Sequence, residues 1–152
     1  MTDDPSVNPS VQGFTGGCLC GQLRYVAGSA PSSTGHCYCS DCQKVSGSGF
    51  IPFMNFPASV LRIEGRSRQL VSPAANGRTA TRNFCAECGS LVFGGVLNQS
   101  TSFTIYAGSL DDRSLFQPQI AIFDSNRPPW APLAPSITRV FARLPEDEPN
   151  AN

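Results

Sequence analysis

The chain has 152 residues, 40% of them hydrophobic and only 14% charged, and its 11 basic and 11 acidic residues cancel. That length suffices for one domain with its own core. A neutral chain lacks the basic surplus that meets a phosphate backbone, so nucleic acid is not an expected partner; nor is a membrane, since no apolar run approaches the ~20 residues that span a bilayer.

Residues 1–13 are polar, lack the charged-then-apolar layout of an export signal, and are expected to form a disordered tail. That absence predicts a reducing, cytoplasmic setting, where an odd set of seven cysteines works as thiols and not as disulfides. One domain is predicted over 14–144, followed by an acidic, proline-bearing tail at 145–152. High glycine and proline content favours short strands and many turns, so the predicted class is all-β with short helical turns.

Strands are predicted at 21–26, 50–53, 60–63 and 69–71, with Pro57 and Gly65 as breaks. Residues 40–45 are predicted to make one or two helical turns capped by Ser40. Segments 79–84 and 90–93 flank a turn at 85–89 and read as a hairpin. Two more strands are expected at 102–106 and 120–123. The proline-rich stretch 128–135 reads as ordered loop, with Trp130 expected to find a buried place.

The cysteines form three groups: Cys18-Leu19-Cys20, Cys37-Tyr38-Cys39-Ser40-Asp41-Cys42, and Cys85-Ala86-Glu87-Cys88 followed by Gly89. The last is a zinc knuckle, in which a tight turn aims both sulfurs to one side. Seven thiolates divide naturally into four and three. Four close a tetrahedral structural site, and three leave a coordination position open for chemistry. Cys37, Cys39 and Cys42 lie within six residues and suit one ion, the candidate catalytic site. Cys18, Cys20, Cys85 and Cys88 then form the closed site, stapling the N-terminal strand to the hairpin. One structural zinc with three spare thiols, an iron–sulfur cluster, and inert buried thiols are the alternatives; the usual iron–sulfur spacings are absent. His36, the single histidine, reads first as a partly exposed loop residue, with fourth ligand or general base as its other roles.

These clusters, in this order, resemble the glutathione-dependent formaldehyde-activating enzyme family, which also includes centromere protein V. The resemblance is carried by Gly17-Cys18-Leu19-Cys20-Gly21 with Arg24-Tyr25, by the CxCxxC with Gln43 and Gly47, by Arg82-Asn83-Phe84-Cys85 with Cys88-Gly89-Ser90, by Ala107-Gly108-Ser109-Leu110-Asp111-Asp112, and by Arg127-Pro128-Pro129-Trp130. It implies a metal-clipped, Mss4-like β-sheet domain with two zinc sites divided as above. It further implies a carbon–sulfur lyase handling S-hydroxymethylglutathione, formed from glutathione and formaldehyde, or a related glutathione conjugate.

Glutathione carries two carboxylates, so its pocket is expected to hold basic groups. Lys44, Arg127 and Arg24 are the candidates, with Trp130 as a possible wall. The chain departs from the family pattern at Ala121, where many members carry histidine, and at Asn126-Arg127. Gly108 to Asp112 reads as a turn with an aspartate cap. A non-catalytic zinc-stabilised binding module and a glutathione-dependent dehalogenation are the competing functions.

Overall fold

The computed structural model describes residues 13–74 and 77–145. The expected tails, Gly13 and Pro145 apart, lie outside the described residues. Eleven strands and one short α-helix make up the regular structure of that range, alongside several 3-10 turns. The all-β expectation therefore holds.

Three strands form a small antiparallel sheet: β1 (Phe14–Gly17), β2 (Arg24–Ala27) and β5 (Leu61–Glu64), in the order β1-β2-β5. The other strands form a large sheet. They are β3 (Ser33–Cys37), β4 (Ile51–Pro57), β6 (Ser67–Pro73), β7 (Thr79–Cys85), β8 (Leu91–Gly94), β9 (Ser102–Tyr106), β10 (Ile120–Ile122) and β11 (Arg139–Val140). Their order is β11-β10-β3-β4-β9-β8-β7-β6. Helix α1 (Ser40–Ser46) leaves the end of β3.

Side-chain alternation along β4 and β9 gives the large sheet two distinct faces. Met54, Phe56, Phe103 and Ile105 point to one face and pack with Leu23, Tyr25 and Ala27 from the small-sheet side. This is the main core. Phe53 and Ile51 point the other way, among the three-cysteine cluster and Tyr106. That second face carries the site.

Several predicted elements shift. The first predicted strand begins three residues late, because Cys18 to Leu23 form a turn closed by the Gly21 amide on the Cys18 carbonyl at 3.2 Å. Strand β3 carries no alternating signal; Ser-Thr-Gly-His-Cys is held extended by pairing with β4 on one side and β10 on the other. Trp130 is 70% exposed. Its ring lies across Gly49, where an added Cβ would meet it at 2.9 Å, so the expected burial is corrected: the loop lays the indole on the surface.

Candidate metal centres and cavity

Cys18 and Cys20 sit in the β1–β2 turn, Cys85 ends β7, and Cys88 lies in the turn that follows. Their four sulfurs lie within 4.8 Å of one another, with Cys18–Cys20 at 3.6 Å and Cys20–Cys85 at 3.7 Å. A tetrahedron of ~2.3 Å zinc–sulfur bonds separates its sulfurs by about 3.8 Å, so the set fits zinc. Backbone amides soften the thiolate charge: Leu23 donates to Cys18 Sγ at 3.2 Å, and Glu87 donates to Cys85 Sγ at 3.4 Å. Gly89 holds φ +76° as the knuckle turns, a value most side chains resist. The cluster joins the small sheet to the large one.

Cys37 ends β3, Cys39 caps α1, and Cys42 lies in the helix's first turn. The cap is Cys39 and not Ser40, because the Cys39 sulfur accepts the Cys42 amide at 3.2 Å. These three sulfurs also lie within 4.8 Å of one another, with Cys37–Cys42 at 3.4 Å. Hydrogen bonding to Cys39 and Cys42 pushes the Cys37 thiol up, while hydrogen bonds from Cys37 and Cys42 pull Cys39 down to about 3. The sulfurs resist ionising together, and a divalent cation among them removes that conflict. All seven cysteines are free thiols, as expected. The two clusters are thus positioned to chelate two metal ions, consistent with two zinc sites.

A cavity of about 1030 Å³ opens beside the second cluster. Cys37, Cys39 and Cys42 line it, with Phe53, Ile120 and Ile122 as an apolar wall and Arg82, Tyr106, Asn55 and Thr104 as polar groups. Arg82 is 7% exposed; its Nη2 donates to Cys42 Sγ at 3.9 Å and its Nη1 to Ser72 Oγ at 3.2 Å. Burial pushes the Tyr106 hydroxyl up, so the phenol stays protonated. No hydrogen bond to that hydroxyl forms among the described residues.

The predicted substrate residues fall elsewhere. Lys44 is exposed on α1. Arg127 Nε is bound to Asp124 at 2.7 Å. Arg24 is forked onto Asp111, beside the small sheet. Neither these three nor Trp130 lines the cavity among the described residues. Asn126 does line it.

His36 is a buried strand residue, 6% exposed, and not a loop residue. It alternates to the face away from Cys37, stacks on Phe50 at 4.0 Å and meets the Tyr38 hydroxyl at 3.3 Å. Burial drives it down to about 4, which leaves a neutral ring. Ala121, one of the departures from the family pattern, is fully buried on that same far face, clustered with Tyr38 and Ala131. Asp112 caps the 3-10 turn Arg113–Leu115 by accepting the Ser114 amide at 3.0 Å, as expected.

Arg82 and Tyr106 went unassigned in the sequence. Arg82 had a signal, its place three residues before Cys85 in a matching motif. Tyr106 had none, since only its register against Phe53 aims it into the cavity.

A β-rich fold with one four-thiol cluster, and a three-thiol cluster opening on a cavity, together with the family match, defines a zinc-dependent, lyase-like enzyme. The chain belongs to the glutathione-dependent formaldehyde-activating enzyme family, whose model matches residues 13–126. It is also similar to a Rhodobacter sphaeroides protein of known crystal structure, at 18% identity and a TM-score of 0.49, covering 68% of this chain and 96% of that one. No curated protein matches the chain.

Proposed function

We propose that this protein, on a domain spanning 14–144, joins the thiol of glutathione to formaldehyde or runs the reverse cleavage of S-hydroxymethylglutathione or a related conjugate. One observation carries the reading: three cysteine sulfurs converge within 4.8 Å at the wall of a cavity of about 1030 Å³, ample for a tripeptide. Cys37, Cys39 and Cys42 hold the second zinc, which when bound supplies the charge that favours the thiolate form of a thiol near pH 7. Three thiolates outweigh a divalent ion by one negative charge, and Arg82 beside Cys42 offsets it.

In the forward direction the substrate sulfur gives an electron pair to the aldehyde carbon. The carbon–sulfur bond forms, the carbonyl π pair moves onto oxygen, and that oxygen takes a proton. Tyr106 lines the cavity with its hydroxyl unspent, so it is the proton donor we assign. It regains a proton from water, while the proton of the thiol leaves to solvent. The apolar wall of Phe53, Ile120 and Ile122 confines both reactants and raises their encounter frequency.

Exchange NMR on glutathione with ¹³C-formaldehyde tests the reading. The zinc-loaded protein should speed exchange between free aldehyde and adduct. A rate equal to the spontaneous one removes the named activity from this chain.

A further inference from the structure

One row of side chains on the cavity face enters the chemistry above only through Arg82 at its end. Strand register places Ser33 beside Asn55, Asn55 beside Thr104, Thr104 beside Gly94, and Gly94 beside Arg82. The row therefore crosses five adjacent strands. Ser33, Asn55, Thr104, Gly94 and Arg82 all line the cavity.

Three of its polar members are tied in one direction. Thr104 Oγ1 donates to Asn55 Oδ1 at 2.8 Å, and Asn55 Nδ2 donates to Ser33 Oγ at 2.8 Å. The run ends on the Ser33 hydroxyl proton, and the amide keeps a second proton. Neither proton is bonded to a described residue. Each group is held by its neighbour, so two donors stand preorganised at one end of the cavity, where linked hydrogen bonds strengthen one another.

Distance and hydrogen-bond polarity say what they receive. Ser33 lies four residues from Cys37 along β3, which is about 13 Å of strand. The glutathione sulfur is on the central residue, and its longer arm, to the γ-glutamyl carboxylate, reaches about 10 Å, so a thiol seated a few ångströms along the cavity from the cysteines places that carboxylate at this row. With Arg82 matched to the thiolates, the described lining carries no further charge surplus, so hydrogen-bond polarity selects the ligand: two donors held ready suit an acceptor-bearing group.

We propose that Ser33, Asn55 and Thr104 form a subsite that receives a carboxylate or peptide carbonyl of the thiol substrate, at the end of the cavity opposite its sulfur. This rests on the lyase reading for the position of the sulfur. It makes the site selective for peptide-length thiols and indifferent to the far end of short ones.

Calorimetry on the full-length, zinc-loaded protein tests it, with glutathione and 2-mercaptoethanol as probes. Asn55→Leu and Ser33→Ala should each raise the dissociation constant for glutathione about tenfold, the worth of one lost charge-assisted hydrogen bond, and leave 2-mercaptoethanol unchanged. Ser33→Ala keeps the strand and guards against a folding failure of Asn55→Leu. Glutathione affinity unchanged in both variants overturns the subsite, as does equal weakening of both thiols. Row-dependent binding of glutathione without any acceleration of formaldehyde exchange removes the lyase reading and leaves the subsite standing.

Discussion

Arg82 Nη2 stands 3.9 Å from Cys42 Sγ, so a buried guanidinium faces the same sulfurs that converge for metal. Its charge complements the anionic surplus of a three-thiolate centre. Gly94, its cross-strand neighbour, leaves room for the Tyr106 hydroxyl, which an added Cβ would meet at 3.1 Å.

Arg82→Met keeps the aliphatic stem and removes the charge. A hydrogen bond to a charged group contributes about 1.5–3 kcal/mol, so zinc at the second site should weaken by tenfold or more while the first site is unaffected. Chelator competition read with a chromogenic dye checks it. Two zincs held as tightly as in the wild type would show that Arg82 has no influence on the metal.

The two clusters should respond differently to losing one ligand. Cys39→Ser should lower zinc content from two towards one per chain with the circular dichroism spectrum kept. Cys85→Ser removes a ligand that joins both sheets, and metal clips of this kind carry roughly 10 kcal/mol of folding energy, so that variant should be unfolded at 25 °C. Elemental analysis beside a thermal melt decides both. One zinc in both wild type and Cys39→Ser would refute the four-and-three division.

Tyr106→Phe removes only the hydroxyl. Proton donation of this kind is worth about 10²–10⁴-fold, so kcat should fall at least a hundredfold with KM and zinc content unchanged. A variant with wild-type kcat excludes Tyr106 as the donor.

Hydrogen bonds from Arg24 first, then Thr15, hold the Asp111 carboxyl at about 2, below its usual 3.8. A depressed carboxyl stabilises the fold fully above pH ~3.8 and loses that contribution as pH falls through about 2. Both side chains are nearly half exposed, which limits the pair to about 1 kcal/mol. Asp111→Asn should therefore lower stability by that small amount, equally at pH 5 and pH 7, and less in high salt. Urea melts at both pH values measure it. A difference that changes between pH 5 and 7 contradicts this assignment.

Ala121→His probes an expected departure from the family pattern at a position that faces away from the cavity. Forcing an imidazole into a fully buried alanine site should cost about 1–3 kcal/mol and leave glutathione KM unaltered. A change in KM larger than in stability would tie this position to the substrate.

The cysteine division was legible because it depends on ligand count and short spacing, which are local properties. The knuckle at Cys85–Gly89 and the hairpin around it were legible for the same reason. The residues around the second cluster were not. Basic groups for the substrate were sought by chain proximity to the motifs, which points to Lys44 and Arg127. The cavity instead draws Arg82 and Tyr106 from β7 and β9, and only register across the large sheet brings them near Cys42. His36 sits next to Cys37 in sequence, and a two-residue period turns it to the opposite face. Strand β3 went unseen because its extended form comes from its neighbours and not from its own composition.

The two centres also differ in how far along the chain their members lie. Cys37, Cys39 and Cys42 span six residues, whereas Cys20 and Cys85 are 65 apart. Closing a long loop costs entropy before it gains any contact, whereas a local trio meets almost without cost. During synthesis the local trio is complete before the Cys85 knuckle exists. The three-thiol set therefore needs only the end of β3 and the first turn of α1 to assemble, whereas the four-thiol set needs the two sheets to have met.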